Sequence, residues 1–287
     1  MSAAAIDVVA VRVPERSWRS EARAVRTVWW RDLIRFANEP MGIVAWLIQP
    51  LLFLFVLGPG LHTLSDTSTD GADLTTFMFP GVLCMALVYS AIFSAASLVW
   101  DRELGFLREL MVAPVRRSSI VVGKCLGGAT IAASQGVVVL ALAGLVDVPY
   151  DPVLLLGLFG LVMLTAFTIT AFGVMVAISI KQARTFTSVV QMCVIPMIFL
   201  SGALYPVSGL PTWLGVLNRL NPLTYAVDPM RRLVFDHLDV SEASRHTLAP
   251  GVTWWGRPVP TLVEVGIVLA LGLALLAVAI FRFTRTE

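Results

Sequence analysis

The sequence predicts an all-α polytopic membrane protein, and three observations support that prediction. Of its 287 residues, 57% are hydrophobic and only 14% are charged, whereas soluble domains carry about 25% charged residues. The apolar residues gather into six blocks, each near the roughly 20 residues needed to cross a hydrocarbon core as a helix. Lys and Arg are concentrated in alternate gaps between these blocks, which is how a multi-span chain sets its orientation.

The predicted spans are 41–61, 77–99, 120–146, 153–180, 186–204 and 262–281. An even number of spans places both termini on one side. Arg12, Arg16, Arg19, Arg23, Arg26, Arg31 and Arg35 precede the first span, while 62–76 carries no Lys or Arg. Arg102, Arg108, Arg116, Arg117 and Lys124 follow the second span, Lys181 and Arg184 the fourth, and Arg282 and Arg285 the last, with none between spans three and four. Both termini are therefore expected in the cytoplasm, with the chain in a bacterial inner membrane. Arg219, Arg231, Arg232, Arg245 and Arg257 lie in the long external segment 205–261, where the charge rule acts weakly. The first 40 residues are Arg-rich without a continuous apolar run, so the first span, not a cleaved signal peptide, directs insertion.

Two elements are expected along the membrane surface. In 16–39, Trp18, Ala22, Val25, Trp29, Leu33 and Phe36 recur at helical spacing, with Arg16, Arg19, Arg23, Arg31 and Arg35 on the remaining circumference. This pattern predicts an amphipathic interfacial helix, acting either as a lipid anchor or as a transmitter of motion. In 205–261, Pro206, Pro211 and Pro222 predict short helices separated by turns.

A further short helix is expected at 101–113, between spans two and three. Asp101 serves as its N-cap, Leu104, Leu107, Leu110 and Met111 form its apolar stripe, and Ala113 before Pro114 ends it. Arg102, Glu103, Arg108 and Glu109 give it a charged face suited to a soluble partner, the alternative being an ordinary solvated loop.

Arg102-Glu103-Leu104-Gly105-Phe106-Leu107-Arg108-Glu109-Leu110, with Pro114 beyond it, resembles the cytoplasmic loop of ABC-2 type permeases in the daunorubicin-resistance membrane-subunit family. That family's pattern is Arg-Glu-x-Gly-Thr-Leu-Glu-x-Leu; here Phe106 replaces the Thr and Arg108 the second Glu. A second stretch is similar to the same family: Phe199-Leu200-Ser201-Gly202, Tyr205-Pro206, Leu210-Pro211 with Trp213 and Leu214, then Asn221-Pro222-Leu223-Thr224-Tyr225-Ala226-Val227-Asp228 with Arg231. The resemblance implies the permease subunit of an ATP-binding-cassette exporter, working as a homodimer or paired permeases with two copies of a separate ATPase that binds ATP and Mg. It assigns the ATPase contact to Asp101, Arg102, Glu103, Phe106, Leu107, Arg108, Glu109, Pro114, Arg116 and Arg117. It also implies a lipophilic or amphipathic drug or antibiotic as cargo, with a lipid or lipid-linked glycan as the alternative. A membrane scaffold that binds an ATPase without moving cargo is the reading from another class. By the same resemblance the pathway runs along spans two and five, past Phe77, Met85, Tyr89, Phe93, Gln191, Met192, Met197 and Phe199. Met and aromatic side chains adapt to varied apolar ligands, the alternative for each being simple helix packing or lipid contact.

Other chemistries find no support in the residues. Gly123-Lys124 is followed by Cys125 at the start of a span, not by Ser or Thr in a phosphate-cradling loop, so this chain is expected to bind no nucleotide itself. His62, His237 and His246 lack metal-ligand spacing, and Cys84, Cys125 and Cys193 lie in apolar blocks as an odd set, without a disulfide framework. No enzyme chemistry, cofactor or nucleic-acid partner is assigned. No span has Asp, Glu or Arg at its middle, and Lys124 and Glu264 lie near span ends, which counts against an ion-coupled transporter. Gly123-x-x-x-Gly127, with Gly128, Ala129 and Ala132, predicts a close helix approach within the chain.

Overall fold

A computed structural model describes residues 18–62, 74–105, 116–205, 211–238, 251–254 and 257–286. Helix α1 is Trp18–Ala37, with Glu21 in its first turn and Arg35 in its last, each the favourable sign for the helix dipole. Helix α2 begins with Pro40 at its first position and runs Pro40–Leu52. It passes through a π-helical turn, Phe53–Leu57, into a last α turn, Gly58–His62. Pro50 lacks the N–H that a regular ladder needs, and the widened turn begins three residues later.

Helices α3 (Leu74–Glu103), α4 (Arg117–Ala141) and α5 (Pro152–Ser179) pack on one another as the centre of the bundle, and α9 (Thr261–Thr286) packs against α5 and α4. Asp151 caps α5, accepting hydrogen bonds from the backbone N–H groups of Val153 (2.7 Å) and Leu154 (3.4 Å), and Pro152 takes the first position. Helix α3 is buried around almost its whole circumference. A Cβ at Gly81 would lie 2.1 Å from the carbonyl oxygen of Ala203, so only glycine lets the chain after span five cross this close.

Helix α6 (Ala183–Phe199) packs against α3 and α5 mainly through one line, Phe186, Val190, Val194 and Ile198, with Ala183 and Met197 partly buried beside it. Beyond it lie α7 (Thr212–Leu220), α8 (Thr224–Asp236) and an antiparallel pair of two-residue strands, Thr253–Trp254 and Arg257–Pro258. Among the described residues, five helices are long and apolar enough to cross a membrane, and α6, at 17 residues, is a shorter apolar sixth.

Among the boundaries that differ from the sequence expectation, three have a visible local cause. The span expected at 186–204 ends at Phe199, because Asn218 and Asn221 reach back to donate to the carbonyls of Leu200 (2.8 Å) and Met197 (2.5 Å) and so complete the helix end. The span expected at 120–146 ends at Ala141; Ala143–Val146 is a 3-10 turn closed by Asp147 in the left-handed region. The separate helix expected to start at Asp101 does not start there, since residues 101–103 continue α3 as its last turn.

Helix α1 turns the side that bears its expected stripe toward the protein. It docks on α4 through Val28 and Asp32, with Val25, Trp29, Leu33 and Phe36 partly buried on the same side, while Trp18, Trp30 and Ile34 are exposed. Gly123 and Gly127 make the approach possible: a Cβ at Gly123 would meet Val28 Cβ at 2.8 Å and the Val25 carbonyl at 3.0 Å. The small-residue stripe thus serves packing within the chain.

Candidate functional site

Successive helix residues point about 100° apart, so Asp101, Arg102 and Glu103 at the end of α3 reach three different neighbours. The Asp101 carboxylate accepts hydrogen bonds from Lys124 Nζ on α4 (2.8 Å) and from Arg31 (2.7 Å) and Arg35 (3.3 Å) on α1. Arg102 donates to the carbonyls of Ala177 (3.4 Å), Ile178 (3.4 Å) and Ile180 (2.9 Å), occupying the C-terminal end of α5 where a cation suits the helix dipole. Glu103 accepts from the backbone N–H of Ala183 at 2.8 Å, placing an anion at the N-terminal end of α6.

Lys124 lies at the centre of this hub. Its ammonium donates to Asp32 (3.0 Å), Asp101 (2.8 Å) and Ser97 (3.0 Å), so all three protons are placed. The side chains of Lys124, Asp32 and Asp101 are 2%, 4% and 5% exposed, and a charge so buried persists only when paired and hydrogen-bonded. Arg35 also sits over the Trp100 ring, 5.7 Å from its centroid.

The start of α4 is tied to the same end. The Glu21 carboxylate accepts from the Arg116 backbone N–H (3.2 Å) and the Ser119 hydroxyl (2.5 Å), and Arg117 donates to the Thr284 carbonyl of α9 (3.4 Å). Of the residues expected to contact an ATPase, Asp101, Arg102, Glu103, Arg116 and Arg117 therefore gather at one end of the bundle, with Asp101 and Arg102 turned into the protein. Phe106, Leu107, Arg108, Glu109 and Pro114 lie outside the described residues.

The expected pathway residues do not come together. Phe77 is fully buried beneath the Arg231 guanidinium, 4.1 Å from its ring centroid, and Met85 is buried in the core. Tyr89 and Phe93 face α2, where Tyr89 accepts from Gln49 (3.0 Å) and Phe93 lies between Trp46 (4.8 Å) and Trp100 (5.4 Å). Gln191, Met192 and Phe199 are exposed on α6, and Met197 is half-buried. The reason is rotational: on α3, positions 77 and 85 fall on the packed side, whereas 89 and 93 fall under α2.

A second charged cluster occupies the opposite end. Arg231, fully enclosed, donates to the Gly202 carbonyl (2.6 Å); burial pushes its guanidinium down to about 10, with Asp228 acting against the shift. Arg232 donates to Asp228 (2.6 Å), Glu264 of α9 (3.2 Å) and the Val259 carbonyl (2.8 Å), while Asp228 also accepts from the Val252 N–H (2.9 Å). Asp228 and Arg231 stood in the second motif without a role; Asp32, Arg232, Trp46 and Gln49 carried no sequence signal.

Comparison with known proteins agrees with this architecture. The ABC-2 type transporter family model matches residues 23–235. The chain belongs to the ABC-2 type transporter family. Relatives include ycf38 of Cyanophora paradoxa, described as a transport permease, 28% identical over 207 residues covering 71% of each chain. Nodulation protein J of Rhizobium leguminosarum bv. trifolii is 26% identical over 213 residues, 73% of this chain and 80% of that one. YbhR of Escherichia coli K12, described as a multidrug ABC transporter permease, is 27% identical over 164 residues, 56% of this chain and 44% of that one. This ABC-2 protein is therefore a multi-pass membrane protein and the permease subunit of an ABC transporter, a transport component that is not itself catalytic. Membership also implies an ABC ATPase partner.

Proposed function

We propose that this permease exports a lipophilic or amphipathic compound, a drug or antibiotic, across a bacterial inner membrane. Two copies pair, and two ATPase subunits holding ATP and Mg dock at 101–117. The Arg-rich end, with both termini, faces the cytoplasm. The observation that carries this reading is the hub: Asp101, Arg102 and Glu103 bond to α1, α4, α5 and α6 at the point where α3 leads into the docking segment. A displacement of that segment acts on four helices at once, as a permease driven from outside its own chain requires. The exposed, mostly apolar face of α6, with Gln191, Met192 and Phe199, suits either a second copy or greasy cargo, because an amide facing lipid is costly.

Co-expression with the cognate ATPase, then ATP hydrolysis in nanodiscs across lipophilic antibiotics and lipids, tests the proposal. The expected result is a stable complex stimulated by antibiotics. Stimulation by lipids alone transfers the cargo to that class, and a flat response in an intact complex replaces export with a scaffold role.

A further inference from the structure

Glu103 differs from its two neighbours in the hub. Asp101 is buried among three cations and Arg102 grips several carbonyls, but Glu103 is exposed and its bond is to one backbone N–H, that of Ala183. That N–H belongs to the first turn of α6, a helix whose own N-cap residue, Gln182, supplies no capping hydrogen bond. Helix α6 is otherwise held by the line Phe186, Val190, Val194 and Ile198, with Ala183 and Met197 packed beside it, and by asparagine caps at its far end. At its near end this packing is joined by a carboxylate from another helix, two residues beyond the anchored Asp101.

We infer that Glu103 is the positioning residue that carries movement of the docking segment to α6. The contact lies where solvent can replace either partner, so it can open and re-form, whereas the Asp101–Lys124–Asp32 cluster is enclosed and stays closed. A shift at 103 then moves the α6 N-terminus, and with it the exposed face bearing Gln191 and Met192. The inference rests on the proposed docking of an ATPase at 101–117.

The test uses the full permease–ATPase complex in nanodiscs, with Cys193→Ser to remove the exposed thiol and Arg184→Cys to carry an environment-sensitive fluorophore in the first turn of α6. Cys84 and Cys125 are buried and stay unlabelled. With Glu103 intact, ATP with vanadate changes the fluorescence. In Glu103→Ala the change falls by at least about fivefold, the lower range of coupling between linked sites. Glu103→Gln, whose amide oxygen still accepts from Ala183, restores most of it. An undiminished response in Glu103→Ala, no rescue by Gln, or a silent label in a complex with Glu103 intact overturns the inference. If Glu103→Ala alone loses the ATPase, Glu103 is a docking residue, and the inference is again overturned. Absence of a complex even with Glu103 intact refutes the docking proposal itself, and this inference with it.

Discussion

Both ends of the bundle bury charge, but they hold it in different ways. At the Arg-rich end, carboxylates and cations from three helices meet side chain to side chain: Asp32 of α1, Asp101 of α3 and Lys124 of α4, with Arg31 and Arg35 at the rim. At the opposite end Arg232 pairs with Asp228 and with Glu264 of α9, but the remaining bonds go to backbone: Arg231 serves the carbonyls of Gly202 and Ala203, Arg232 that of Val259, and Asp228 takes the N–H of Val252. The first arrangement fixes helices relative to one another. The second fixes the course of irregular chain that would otherwise leave polar groups unpaired in an apolar setting. One end is a joint between helices and the other a clasp over loops.

The sharpest way to break the comparison is at Lys124. Lys124→Met leaves Asp32 and Asp101 buried without their shared cation, and removing one member of a buried ion pair costs about 3–5 kcal/mol. The expected outcome is a much lower melting temperature in detergent. Restoring stability by adding Asp32→Asn would show that the uncompensated carboxylate, and not lost packing, is responsible.

At the clasp the expected loss is smaller. Arg231→Met leaves the carbonyls of Gly202 and Ala203 without their donor, at a cost of about 1–3 kcal/mol. Arg231→Lys recovers little, because an ammonium lacks the planar fork that lies over Phe77 while bonding two carbonyls. Limited proteolysis of the chain after α6 reads the effect, and wild-type resistance in Arg231→Met would show that the clasp is held elsewhere.

A third substitution tests the joint through packing. Gly123→Ala places a methyl 2.8 Å from Val28 Cβ and 3.0 Å from the Val25 carbonyl, and the backbone contact cannot yield without moving α1. Overpacking of this kind costs about 1–3 kcal/mol. It should also lengthen the Trp29 Nε1 to Thr130 hydrogen bond, now 3.1 Å, and red-shift the tryptophan emission.

How far these features could be read from the sequence follows from how local their causes are. The apolar blocks and the Gly123-x-x-x-Gly127 stripe are local patterns, and both the spanning helices and the α1–α4 contact formed on them. Asp101 was misread because an aspartate near a helix C-terminus opposes the dipole, so capping a new helix is the better local solution. Lys124 and the two arginines of α1 reverse that preference, and they lie 23, 70 and 66 residues away in sequence. The burial of Asp32 is hidden from the local pattern of α1 for the same reason: its partner Lys124 lies 92 residues away. On α3, Phe77, Met85, Tyr89 and Phe93 spread over roughly 160° of the circumference, yet which of them meets α2 depends on where α2 packs, and no local pattern encodes that.

Glu103 tests the comparison most finely, because its expected effect on stability is the smallest and its expected effect on function is not. An exposed carboxylate at a helix N-terminus contributes about 1 kcal/mol or less, so Glu103→Ala should melt within a few degrees of the native protein. In the same variant, cargo-stimulated ATP hydrolysis should fall well below that of the native complex, because the near end of α6 no longer follows α3. Lys124→Met couples the two quantities in the opposite sense: the protein that survives purification has lost stability first, and its transport declines in proportion. If Glu103→Ala and Lys124→Met lose stability and stimulated hydrolysis in the same ratio, the hub is a single rigid joint and α6 has no separate link. If the ratios differ, the residues 101–103 divide between an anchor and a transmitter, two positions apart on one helical turn.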